Sequence, residues 1–326
     1  ACTARDRGAA ARTDGCGHPA GALMDRRHFL LAAGAAAACA ARAAQPASDA
    51  ATVTPLADRL WLVAGYGGNV TVFDSPAGVL LVDGGAPEHT AALLRQVRTL
   101  TGKDRVHTLF NTHWHHDQTG ANLTLGSAGT RIIAHEYTKL WLTTDVHVRW
   151  EGRTYQPLPK AALPTETFYT TGSLAFGGEQ IDYGHLGQAH TDGDIYVHFR
   201  RANVLVAADV VSVARFPLVD PDSNGWVGGI TTAVEKLVGL ADEGTKVVPG
   251  VGLPQGLAYL KKEHAMLDTL RQRLIRLLAQ GMSASEMIAA RPAAEFEAEW
   301  GDPAPFIRNA YPGLAHRSRE LGASIV

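Results

Sequence analysis

The chain has 326 residues, with 46% hydrophobic and 19% charged residues and a formal net charge of −2. That describes a soluble globular protein with a sizeable core, and the near-neutral balance leaves no basic surface to follow a phosphate backbone, so nucleic acid is not an expected partner. Fourteen histidines against three cysteines point to imidazole and carboxylate chemistry rather than a disulfide frame or a thiolate cage.

The cysteines stand at positions 2, 16 and 39, ahead of any predicted core element. From Met24 the chain reads "MDRRHFLLAAGAAAACAARAAQPA": a basic pair, Arg26-Arg27, an apolar run over residues 29–41, then small residues suited to cleavage. The "DRRHFLL" stretch resembles the core of twin-arginine export signals. The resemblance implies passage through the twin-arginine machinery to the periplasm, a route that carries folded proteins with cofactor already loaded. The run is too short to remain as a membrane span. Cys39 is the alternative, a lipid anchor at a poor lipobox. The expected division is a leader at 1–23 before the start at Met24, a signal at 24–48, one domain at 49–253, and a C-terminal helical extension at 254–326 packed on that domain.

Beyond the signal, "RLWLVAG" (59–65), "NVTVFDS" (69–75) and "GVLLVDGG" (78–85) predict short strands between Gly, Asn and Pro turns. Residues 87–100 carry Ala91, Leu94 and Val97 at helical spacing, and Gly102 closes the helix. "VHTLFNTH" (106–113) predicts a buried strand, and "RIIAHEYT" (131–138) another, followed by a helix through Leu142. Residues 155–165 are a Pro-rich surface loop. Two hairpins follow, "GSLAFGGEQIDYGHLG" and "DIYVHFRRANVLVAADV", then a helix over 231–241 and a last strand, "KVVPG" (246–250). From Pro254 the chain turns helical, with Leu260, Leu267, Leu270, Leu274 and Leu277 as an apolar stripe. Strands and helices alternating in this way suit sheets covered by helices, an α/β or α+β sandwich.

The chemistry concentrates in "NTHWHHDQTG" (111–120). At a strand end, alternation puts His113 and His115 on one side, turns Trp114 and His116 away, and returns Asp117 to the histidines. Neutral imidazole suits zinc, and an open zinc site takes three protein ligands and a water. His190, in the tight turn "GQAHTDGD", supplies the third, and Asp209, emerging from the apolar run "VLVAAD", needs a cation or several donors to offset its desolvation.

In order, "HWHHDQ", "AHTDGD", "AAD" and "PGVG" resemble the stations of the metallo-β-lactamase superfamily, whose pattern is His-x-His-x-Asp-His, a distant His in a Gly/Ala-His-x-x-Gly-Asp turn, an Asp at a strand end, and Pro-Gly-His-Gly. The resemblance implies a four-layer αββα sandwich with the metal site at one edge of two sheets. It implies His113, His115 and His190 as ligands of a first ion, with Asp117 and Asp209 toward a second. Two stations depart from the family: Gln118 and Val251 stand where histidines are usual. Valine cannot ligate and a glutamine carbonyl is a poor zinc ligand, so one ion is expected to be held tightly and a second weakly or not at all.

Zinc lowers the pKa of bound water toward roughly 7, producing hydroxide at neutral pH. Asp117 then orients that water and accepts its proton, and Gln118 donates to the substrate or to Asp117. Asp83, His116, His185 and Trp226 are assigned to the surroundings of the site, with Trp226 either at a cleft rim or anchoring its loop. Residues 150–159 offer another rim, and Asp192 and Asp194 shape their turn. The expected function is an exported zinc-dependent hydrolase acting on an ester, lactone, amide or lactam in a small molecule. The alternatives are a phosphoesterase or sulfatase of the same fold, or a periplasmic binding protein whose catalysis has lapsed. The C-terminal stripe serves the core or a dimer face, so an oligomer stays open.

Overall fold

The computed structural model describes residues 51–320 of the chain. The expected export segment lies outside them. The described part opens with an antiparallel meander of β1 (Thr52–Ala57), β2 (Leu60–Tyr66), β3 (Gly68–Ser75) and β4 (Gly78–Val82). Helix α1 (Thr90–Thr101) ends at Gly102, where φ of 68° is open to glycine at little cost. It returns the chain to β5 (Val106–Phe110), parallel to β4. Two short helices, α2 (His116–Thr119) and α3 (Asn122–Ser127), lead to β6 (Arg131–His135), and α4 (Glu136–Leu142) follows directly. The strand foreseen over 131–138 therefore stops at His135, whose ring nitrogen accepts the Tyr137 amide and caps α4. A separate small hairpin pairs β7 (Val146–Val148) with β8 (Arg153–Tyr155), and β9 (Glu166–Phe168) completes a seven-stranded sheet of order β1-β2-β3-β4-β5-β6-β9.

The second sheet runs β10 (Thr171–Phe176), β11 (Glu179–His185), β12 (Ile195–Phe199), β13 (Val204–Ala208) and β14 (Lys246–Pro249). Its first four strands are antiparallel, and α5 (Val227–Leu240) makes the crossover that lets β14 lie parallel to β13. The C-terminal part is helical: α6 (Leu257–Ala279), α7 (Ala284–Ala289), α8 (Glu297–Trp300) and α9 (Ala304–Glu320).

Strand alternation explains the layers. In β4, Leu80 and Val82 point to the second sheet while Val79 and Leu81 point outward onto Leu93 and Val97 of α1. In β13, Val204 and Val206 face the first sheet, whereas Leu205 and Ala207 join Ile230, Val234 and Leu237 of α5. Both strands are apolar on both faces because both faces are covered. Three stacked cores thus define four layers, helix, sheet, sheet and helix. Of the expected stripe on α6, Leu260, Leu267, Leu270 and Leu274 are wholly buried against the second sheet's outer layer, and Leu277 packs at its margin. Burial of each such leucine stabilises the attachment by about 1.5–3 kcal/mol.

Hydrogen bonds tie the sheets together at the edge where the strands end. The Asn69 side-chain amide donates to the carbonyls of Pro249 (2.9 Å) and Gly252 (2.8 Å), and the Ile195 amide donates to the Thr112 carbonyl at 3.0 Å. The carboxyl ends of β4, β5, β13 and β14 therefore converge on one rim, the usual place for a site in an open α/β sheet.

Candidate metal centre

The histidine run is not on a strand. β5 stops at Phe110, so His113 lies in a loop, His115 caps α2, and residues 116–119 are helical. Alternation is not what aims these side chains. Asp83 does much of it: in the left-handed region at φ 66°, its carboxylate accepts the Thr112 amide at 2.8 Å and the Thr112 hydroxyl at 2.7 Å. The support expected of Asp83 thus reaches the histidines through Thr112.

His113, His115, His190 and Asp209 come together, with one ligand atom from each lying within 4.8 Å of all the others. The three rings stand edge to face, with centroids 4.7–4.8 Å apart. His115 Nδ1 and His190 Nε2 are 3.0 Å apart, and Asp209 Oδ2 lies 3.5 Å from His113 Nε2 and 4.0 Å from His190 Nε2. Zinc bonds of 2.0–2.1 Å in a tetrahedron place ligand nitrogens on the order of 3.3 Å apart.

The far nitrogens fix the tautomers. His190 Nδ1 lies 2.7 Å from the Leu218 carbonyl, which can only accept, so that nitrogen carries the proton. His115 Nε2 lies 3.0 Å from the Asp220 carboxylate and donates to it. His113 Nδ1 lies 3.2 Å from the Thr112 hydroxyl, whose own proton goes to Asp83, so Nδ1 donates. Each neutral ring therefore turns a lone pair inward. His113 Nε2 and Asp209 Oδ1 are buried with no hydrogen-bond partner. Three buried lone pairs facing a carboxylate fit a divalent cation, and the imidazole-rich set fits zinc.

Electrostatics follow from the same contacts. Burial, with the neighbouring imidazoles, holds His113 well below the usual histidine range and His190 at about 4. Burial pulls His115 the same way, but the hydrogen bond and charge of Asp220 outweigh it and raise the group. Asp220 itself is lowered, since its bonds to His115 and Ser223 outweigh the cost of burial. Burial and the Asp209 carboxylate push Asp117 above the usual carboxylate range.

Asp117 stands outside the four-residue group. It lines the adjoining cleft with His115, His116, Trp150, Asp209 and Val251. Gln118 is wholly buried, and its amide donates to Asp209 Oδ2 at 3.4 Å, not to Asp117. It fits only because residue 68 is glycine, where a Cβ would come within 2.3 Å of Gln118 Nε2. Gly250 makes the same allowance for Asp209, because a Cβ there would meet Oδ1 at 1.9 Å. His116 lies against Tyr155 at the cleft wall, with ring centroids 5.1 Å apart. Trp114 is buried in a small core with Leu142, Val146 and Val148, as alternation had suggested for another reason.

His185 and Trp226 act from outside the cleft. His185 stacks on His135 at 3.8 Å and donates to the Asp192 carbonyl, so it supports the turn of His190 from behind. Trp226 lines a different cavity under Arg317, and its amide donates to the Ala189 carbonyl, which makes it the loop anchor. The aromatic at the metal cleft is Trp150, from the 150–159 segment. Asp192 and Asp194 shape the turn: Asp194 accepts the Thr191 amide and hydroxyl, and Asp192 accepts Trp141 and Asn224.

Asp220 is the residue that sequence reasoning missed. It is fully buried, orients His115, and also accepts the Trp150 indole and the Ser223 hydroxyl. The available signal was a carboxylate after the apolar "FPLV", the same cue that marked Asp209. Outer partners of this type are worth about 10–100-fold in metal affinity. Asp220→Asn keeps the shape and removes the charge, so zinc affinity by chelator competition should fall within that range. Unchanged affinity would leave Asp220 as a loop anchor only.

A family model described as "Metallo-beta-lactamase superfamily" matches residues 63–264, which include every residue of the cluster. Among solved structures, a metallo-beta-lactamase from Pontibacter korlensis is similar at 21% identity and TM-score 0.55, covering 67% of this chain and 99% of that one. The DIM-1 metallo-beta-lactamase is similar at 17% identity and TM-score 0.54, covering 67% and 97%. The inverting sec-alkylsulfatase Pisa1 from Pseudomonas sp. is similar at 16% identity and TM-score 0.65, covering 83% of this chain, which spans half of that protein's length. With its two sheets between helical layers and its imidazole cluster at their edge, the chain belongs to the metallo-beta-lactamase superfamily, a family of metal-dependent hydrolases.

Proposed function

We propose that this chain is a zinc-dependent hydrolase that works with one tightly held ion and cleaves an ester, lactone, amide or lactam. The observation that carries this reading is the convergence of three buried imidazole lone pairs and Asp209 on one point. Zinc held there supplies a Lewis acid and lowers the pKa of bound water toward about 7.

The second metal position is weak by composition. Gln118 is turned to Asp209 through its amide hydrogens, and Val251, 41% exposed at the cleft, offers no ligand atom. Asp117, at the cleft wall beside Asp209, orients the attacking water and takes its proton. Asp209 balances the charge at the centre, and Arg215, 3.8 Å from its Oδ1, adds a cation at the cleft mouth.

Sulfate- or phosphate-ester cleavage is the second reading. It is favoured by the broader coverage of this chain by the alkylsulfatase, 83% against 67% for the two lactamases. Export to the periplasm remains part of the proposal, resting on Arg26-Arg27 and the apolar run after them. Assay of one zinc-loaded preparation with nitrocefin, a lactone, an aryl ester, an aryl phosphate and an alkyl sulfate separates the readings. Turnover of carbonyl substrates alone supports the first, turnover of the phosphate or sulfate supports the second, and inertness to all of them sinks both.

A further inference from the structure

The metal cleft is small, about 130 Å³. Small-molecule sites usually span about 300–1,000 Å³, so the cleft holds a reacting group and little more. Arg215 and Leu218 of its wall also line a neighbouring groove of about 370 Å³. One side of that groove is the loop that follows Asp209, and the other is the C-terminal extension at Trp300, Pro305 and Phe306.

Behind the groove stand three apolar side chains that are themselves almost wholly buried, Phe216, Phe306 and Trp300. Phe216 stacks on Phe306 at 5.9 Å and lies 6.4 Å from Trp300. Of its charged residues, Arg215 stands at the junction with the cleft, and Asp302 is engaged in accepting the Ala304 amide at the start of α9. Its loop side is fixed: the Ser212 amide donates to Glu263 at 2.9 Å, and the Tyr259 hydroxyl donates to the Ser212 carbonyl at 2.6 Å, both from α6. The cleft has apolar walls too, since Trp150 is 37% and Val251 41% exposed there.

We propose that the substrate is an amphiphile: its scissile group lies in the metal cleft and an unbranched apolar arm runs past Arg215 and Leu218 into the groove closed by the C-terminal extension. The proposal rests on the hydrolase reading for the scissile end only. The extension is then a specificity element as well as a cover for the second sheet. An apolar arm entering the groove would lie along its accessible apolar residues, Leu218 and Pro305, and each methylene it buries strengthens binding by up to about fourfold.

The test uses binding, so it does not depend on turnover. Straight-chain alkanoates from acetate to decanoate are titrated by calorimetry into the zinc-loaded full chain. Affinity is expected to rise with chain length in the wild type. Pro305→Asp places a charge in the groove, at an exposed position in the first turn of α9 where an acidic residue suits the helix. It should weaken decanoate by at least tenfold and leave acetate unchanged, whereas Pro305→Ala should keep the length dependence. Equal affinity for acetate and decanoate in the wild type overturns the proposal, as does an undiminished slope in Pro305→Asp. If the slope is present and no substrate is turned over, the hydrolase reading fails and the groove stands.

Discussion

Replacing His190 with alanine is expected to abolish retained metal and turnover together. His190 is wholly buried, its Nδ1 proton is committed to the Leu218 carbonyl, and its Nε2 is one of three inward lone pairs. Removing it leaves two imidazoles and a carboxylate, and an open zinc site takes three protein ligands besides its water. The loss should exceed the 10–100-fold that outer partners typically cost. His113→Ala should behave the same way, since its Nε2 has no other partner to satisfy. Metal content after gel filtration and rate per chain check both, with a thermal melt to show that each variant still folds. A variant that keeps its zinc would remove that histidine from the centre.

The second large effect belongs to Asp117. It lines the cleft beside Asp209 but is not part of the four-residue cluster, so its carboxylate is free to act on water. Asp117→Asn preserves size and hydrogen bonding and removes the base. General-base assistance is worth typically 10²–10⁴-fold, and kcat should fall by about that much with zinc content unchanged. Loss of zinc on this substitution would make Asp117 a ligand, contrary to the proposed role. An unchanged rate would show that no base is needed.

The layers were readable in the sequence because β4 and β13 are apolar at every position, which only a strand covered on both faces requires. The gathering of His113, His115, His190 and Asp209 was readable because the histidines stand in segments with no core use for imidazole. The geometry around them was less so. Strand alternation does not hold over residues 111–117, because the chain there leaves β5 and enters α2, so Asp117 comes to the cleft wall by helical geometry. Asp220 was missed because its partner His115 is 105 residues away in sequence, and "DPDSN" has the composition of an ordinary turn. Strands of three residues, such as β7, β8 and β9, carry too few positions to show a period. Trp226, named for the rim, is drawn away from it by the packing of α9, and Trp150 of the 150–159 segment stands there instead.

One working ion per chain is proposed because Gln118 and Val251 stand where two nitrogen ligands would be. It is tested most directly by titrating zinc into the metal-free protein while following the rate of its best substrate. Rate and tightly bound zinc are expected to rise together and level off at one equivalent. A rate that stays near zero through the first equivalent and climbs only toward the second would contradict it.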